Sequence, residues 1–137
     1  MRIKAAVVSV EGGPFELREL ELEEPRADEV LVRVAASGIC HTDLICRDQW
    51  IPVPLPAVLG HEGAGVIEAV GAAVTKVKPG DRVGMSYLSC GACSNCLRSL
   101  APYCLEFGPL NFGGARLDGS NAARLDGQEV HVHFFGQ

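Results

Sequence analysis

The chain has 137 residues, a net charge of −5 and 47% hydrophobic residues, which is room for one well-filled core and too little for two. With only 12 Lys+Arg and no basic run, it lacks the phosphate-neutralising surface that nucleic-acid binding needs. No apolar run reaches the ~18 residues of a membrane span. The start MRIKAAVVSVEGG has no cleavage site of a secretion signal, so the six cysteines point to a reducing cytoplasm.

In chain order, residues 3–10 predict a first strand, ended by Gly12-Gly13-Pro14. The acidic run 19–24, which also holds Leu20 and Leu22, predicts a solvated strand and turn. Residues 29–35 alternate, with Val30, Val32 and Val34 on one side and Arg33 on the other. A short helical turn follows at 42–48. Pro52, Pro54 and Pro56 force an extended surface segment that delivers the chain to Gly60-His61-Glu62. Residues 64–70 form a strand, and the turn Lys78-Pro79-Gly80-Asp81 leads into another at 82–85. A second helical turn is expected at 94–100. Ala-Arg-Leu-Asp-Gly occurs twice, at 115–119 and 123–127. Each Asp-Gly is a turn former, so a mobile hairpin or loop is expected rather than a repeat architecture. Residues 130–134 close the series. Many short strands between turn signals predict a mainly β, partly closed barrel.

Two donor sets stand out. Cys90, Cys93, Cys96 and Cys104 read C-x2-C-x2-C-x7-C, and four thiolates this close in sequence can close a tetrahedral shell around Zn2+. Such a shell is structural, because no position is left for water or substrate. A pair of disulfides is the alternative, but the bridges would close only short loops. The second set is Cys40 and His61 with Glu62 beside it, the mixture of soft and hard ligands that an open catalytic zinc requires. Cys40 follows Gly38 at the start of the helical turn, where amide dipoles favour the thiolate. Gly60 and Gly63 flank His61 and Glu62 and leave room for a metal to approach.

Gly38-Ile39-Cys40-His41-Thr42-Asp43, then Gly60-His61-Glu62-Gly63-Ala64-Gly65, then the four-cysteine loop, together resemble the zinc-containing medium-chain alcohol dehydrogenases. The resemblance runs over residues 1–137 and covers only the N-terminal catalytic domain, a GroES-like distorted β-barrel. It implies Cys40 and His61 as catalytic-zinc ligands and Glu62 as a carboxylate that approaches the metal transiently. It also implies that Asp43 fixes His61 from behind, that Thr42 passes on the alcohol proton, and that His41 faces the cofactor's pyrophosphate. The implied chemistry is Lewis-acid activation of an alcohol for hydride transfer to NAD(P)+.

The family's third catalytic ligand and its Rossmann domain both fall after Gln137. Gly63-Ala64-Gly65-Val66-Ile67-Glu68 begins like a dinucleotide fingerprint but ends in Glu68, so it is no substitute. The chain is therefore expected to be a fragment, inactive alone, of a parent that forms homo-oligomers and acts on a small alcohol or aldehyde. Ile45 stands where many relatives place a relay histidine. An apolar residue there, a histidine after the ligand cysteine and the ending His131-Val132-His133-Phe134-Phe135-Gly136-Gln137 resemble the aryl-alcohol (benzyl-alcohol) dehydrogenase branch. That implies an aromatic primary alcohol as substrate.

Other residues receive plainer readings. Cys46 reads as a small buried hydrophobe, and His131 with His133 as a polar face or a domain contact. Trp50 lines a substrate pocket or fills the barrel mouth as core, and Tyr87 and Phe107 receive no role. A stand-alone zinc-ribbon module would need basic and aromatic residues around the loop, where Arg98 is the only charge between Ser89 and Cys104. A chaperonin-like interaction domain would need neither donor set, since a fold alone does not fix function.

Overall fold

The computed structural model describes residues 1–136. Among the described residues, eight strands form two curled antiparallel sheets of a GroES-like half-barrel. They are β1 (Arg2–Val8), β2 (Glu16–Leu22), β3 (Val30–Ser37), β4 (Ala57–Val58), β5 (Gly63–Val70), β6 (Arg82–Gly84), β7 (Ala123–Leu125) and β8 (Gln128–Val130). The first sheet runs β4-β1-β2-β7-β8 and the second β3-β5-β6. Three short helices, α1 (His41–Arg47), α2 (Ser94–Leu97) and α3 (Phe107–Phe112), decorate the connections.

Period-2 alternation explains how β1 serves two cores. Val7 and Val8 are both fully buried and point to opposite faces of the sheet. Val7 packs with Leu20, Ala123 and Val130. Val8 packs with Cys46, Val53, Ala57, Leu59 and Phe134. Each large apolar side chain buried in this way stabilises the fold by roughly 1.5–3 kcal/mol. The second cluster holds α1 against β1 and β4, and so fixes the helix that starts at Cys40.

Several elements differ from the sequence-based expectation. The last strand stops at Val130; His131 makes only an isolated bridge to Ala57, and Phe134 begins a 3-10 turn. The strand expected at 130–134 thus shares only Val130 with the observed one, and Phe134 instead fills the core beside Val8. The proline segment is not purely superficial, since Val53 between Pro52 and Pro54 is buried. Val30 and Val34 remain 40% and 53% exposed while Val32 between them is half-buried, so the apolar face of β3 is only partly covered among the described residues. The second Ala-Arg-Leu-Asp-Gly copy is a two-residue hairpin between β7 and β8, with φ of 52° at Asp126 and 82° at Gly127. The first copy is instead pinned, because Arg116 is nearly buried and pairs with Glu29 at 2.6 Å and Glu23 at 2.9 Å.

Candidate metal centres

α1 and the end of β3 present Cys40, while the turn into β5 presents His61 and Glu62. Gly60, at φ 124°, makes the bend before His61 that a residue with a side chain would resist. Asp43 ties the two segments together. Its buried carboxylate accepts the Cys40 amide N–H at 3.0 Å through Oδ2, which caps α1. Its Oδ1 lies 2.8 Å from His61 Nδ1, so the imidazole donates there and keeps Nε2 as a lone-pair donor. Thr42 Oγ1 lies 3.5 Å from Cys40 Sγ. His41 is exposed on the first turn of α1.

Ligand atoms of Cys40, His61 and Glu62 all fall within 4.8 Å of one another. One thiolate, one oriented imidazole and one carboxylate make three donors with an open side, a donor chemistry that fits a catalytic zinc. Aromatic rings wall the same site. Phe135 stacks on the His61 ring at 4.5 Å and 21°, and Phe134 meets it edge-on at 5.8 Å. Phe107 lies 6.2 Å from Phe135 and 5.7 Å from Tyr87. Sequence reasoning gave Tyr87 and Phe107 no role, because their meeting depends on α3 folding back towards the 3-10 turn at Phe134. Trp50 is 80% exposed, which excludes its reading as core.

The four-cysteine loop closes on itself. Sγ atoms of Cys90, Cys93, Cys96 and Cys104 all lie within 4.8 Å, and Cys90 and Cys96 are 3.9 Å apart. Zn–S bonds of about 2.3 Å in a tetrahedron put sulfurs about 3.8 Å apart, whereas a disulfide needs about 2.05 Å. All six cysteines are free thiols, so the disulfide alternative finds no support. Backbone N–H groups aim at the sulfurs: Cys93 N–H donates to Cys90 Sγ at 3.3 Å, and Cys90 N–H to Cys104 Sγ at 3.4 Å. Amides of Ala92 and Cys93 hold the Cys90 thiol below its ordinary value, and those of Leu105 and Cys96 bring Cys93 down to about 6. Burial and the neighbouring sulfurs push Cys96 up to about 12. Four thiols this close cannot all ionise without a cation among them, and a divalent metal supplies that charge. Asn111, fully buried and missed from sequence, anchors the loop's entrance: it accepts from Leu88 N–H at 2.8 Å and donates to the carbonyls of Leu88 and Phe107.

Cys46 is buried as expected, and burial first, then the Asp43 carboxylate, pushes its thiol up to about 11. A cleft of ≈ 540 Å³ lies elsewhere, between Arg26, Glu29, Leu88, Arg116 and His133. An ion-pair network lines it rather than a set of metal donors. No described helix is long and apolar enough to cross a membrane.

Known proteins share this fold. Residues 26–132 match the alcohol dehydrogenase GroES-like domain. Geraniol dehydrogenase of Castellaniella defragrans is 52% identical over 98% of this chain and 36% of its own length. The crystal structure of benzyl alcohol dehydrogenase from Acinetobacter calcoaceticus superposes with a TM-score of 0.94 at 51% identity, over 100% of this chain and 36% of that one. An alcohol dehydrogenase zinc-binding domain protein from Burkholderia ambifaria gives a TM-score of 0.96 at 53% identity, over 98% of this chain and 37% of that one. The chain thus spans little more than a third of the length of these relatives. With the family match over residues 26–132, the 52% identity to one relative and the superposed half-barrel of another all in agreement, the chain belongs to the alcohol dehydrogenase GroES-like domain family.

Proposed function

We propose that residues 1–137 are the metal-binding, substrate-facing domain of a zinc- and NAD(P)-dependent alcohol dehydrogenase that oxidises an aromatic primary alcohol to its aldehyde. The observation that carries this is the convergence of Cys40, His61 and Glu62 within 4.8 Å, with Asp43 buried behind His61. When bound, zinc supplies Lewis-acid polarisation of the substrate oxygen, and NAD(P)+ supplies the hydride acceptor.

The chain's own residues supply the rest. Cys40 and His61 hold the metal, Glu62 offers a third donor, and Asp43 keeps His61 in the one tautomer that leaves Nε2 free. Thr42, half-buried beside Cys40, takes the proton released by the alcohol and hands it to solvent. Ile45 cannot extend that relay. His41, exposed at the head of α1, faces the phosphates of the dinucleotide. Cys90, Cys93, Cys96 and Cys104 hold a structural zinc. The rings of Phe134, Phe135, Phe107 and Tyr87 exclude water around His61 and favour a flat, apolar alcohol. Benzyl alcohol, which names one relative, is an aromatic primary alcohol and supports that substrate class; geraniol, which names another, is an acyclic allylic alcohol and supports only the primary alcohol. A cytoplasmic, homo-oligomeric parent whose remaining length holds the Rossmann domain completes the reading. A stand-alone structural zinc module or chaperonin-like domain would leave Cys40, His61 and Asp43 without a task.

In the full-length parent, His61→Ala abolishes benzyl alcohol oxidation while the barrel's circular dichroism is unchanged. Turnover retained by that variant would move the chemistry elsewhere. A parent preferring short aliphatic alcohols would refute only the substrate class.

A further inference from the structure

Gly38 lies just past the last pair of the β3–β5 ladder, Ser37 with Gly63, and so sits opposite Glu62. Its N–H donates to the Glu62 carbonyl at 3.0 Å, which locks the two backbones at that separation. A Cβ built on Gly38 would overlap the Glu62 carboxylate oxygen Oε2 and lie 3.1 Å from Glu62 Cβ and 3.2 Å from Cδ. The φ of Gly38 is outside the left-handed region, so its backbone accepts alanine without strain. Space alone is what demands glycine there. Gly63, by comparison, faces the Met85 methyl, the end of a flexible thioether that moves aside at little cost. The Glu62 carboxylate is also the end of a flexible, exposed side chain, but a shift away from Gly38 costs it the place that brings it within 4.8 Å of the Cys40 and His61 donors.

We propose that Gly38 is a positioning residue: its missing Cβ reserves the volume in which the Glu62 carboxylate stands as the third donor beside Cys40 and His61. This rests on the reading of Cys40 and His61 as metal donors. A methyl group at position 38 forces Glu62 to rotate out of the donor cluster, and leaves two protein ligands where three stood.

The test is a Co2+ titration of the chain with its four-cysteine loop filled by zinc, read by visible absorption and by metal count in native mass spectrometry. Wild type binds one cobalt that Cys40→Ser loses. Gly38→Ala weakens that cobalt by about 10–100-fold, Glu62→Gln does the same, and the double variant is no weaker than Glu62→Gln alone. A merely structural role would instead add to the Glu62→Gln effect and loosen the loop zinc as well. If Gly38→Ala does not fold, Gly38→Ala/Glu62→Ala removes the overlap; it must fold and bind cobalt like Glu62→Ala alone, and failure to fold overturns the proposal. Wild-type cobalt affinity in Gly38→Ala overturns the proposal and leaves the donor assignment standing. No cobalt lost on Cys40→Ser overturns both.

Discussion

Asp43 carries two duties on one carboxylate, with Oδ2 taking the Cys40 N–H at 3.0 Å and Oδ1 lying 2.8 Å from His61 Nδ1. An asparagine has a single acceptor oxygen and can keep only one of those donors. Asp43→Asn therefore lowers metal affinity at Cys40 and His61 by about 10–100-fold, and destabilises the fold by about 1 kcal/mol where the α1 cap is the bond lost. A cobalt titration and a thermal melt of the same sample read both effects; an unchanged cobalt affinity would mean that Asp43 only caps the helix. Cys40, His61 and Glu62 do lie together and Asp43 does meet His61, but their spacing alone said little; it was the resemblance carried by the motifs around Cys40 and His61 that pointed to them. Asn111 was not readable, because a buried amide that clamps two carbonyls leaves no mark in its neighbours. The ring of Phe135 on His61 was hidden for the same reason: 74 positions separate them, and only the tertiary path of the chain joins them.

At the scale of elements, the loop that carries the first Ala-Arg-Leu-Asp-Gly copy is held by charge. Arg116 donates to both Glu29 oxygens, at 2.6 Å and 3.0 Å, and to Glu23 at 2.9 Å. Burial raises the Glu29 pKa, but the hydrogen bonds from Arg116 and from the Arg26 amide outweigh it and leave the group below its ordinary 4.5. A carboxyl whose folded pKa is depressed contributes stability above its unfolded pKa, and that contribution is lost as pH falls through the folded value. Arg116→Ala is thus expected to cost about 2 kcal/mol at neutral pH, and its penalty should shrink on acidification below 4.5. Denaturant melts of both proteins across that range give the comparison, and a penalty independent of pH would contradict it. Sequence could not separate the two copies of the pentapeptide. Arg116 meets acidic residues 87 and 93 positions away, whereas Arg124 meets Glu129 in its own hairpin. Alternation likewise gave the two faces of β3 but not their burial, which depends on what packs against Val30 and Val34.

For the molecule as a whole, the half-barrel brings the start of α1 and the turn into β5 together, and holds the cysteine loop apart as a separate closed cluster. The β-rich class and the four-cysteine cluster were readable because turn residues and close ligand spacings are local signals, whereas the Cys40 and His61 set, 21 positions apart, needed the resemblance of whole motifs. α3 and the early end of the last strand were not readable, since core packing around Phe134 overrode the local pattern. The central claim is that this chain carries two metal sites of different kinds, one closed by four thiolates and one open at Cys40, His61 and Glu62. Zinc per chain, counted by native mass spectrometry against the denatured mass, tests it most directly. Two zinc ions are expected, falling to one in Cys104→Ser and to one in His61→Ala. A single zinc in the wild type would contradict the open three-donor site, and none, with the cysteines recovered as disulfides, would contradict the metal reading of both clusters.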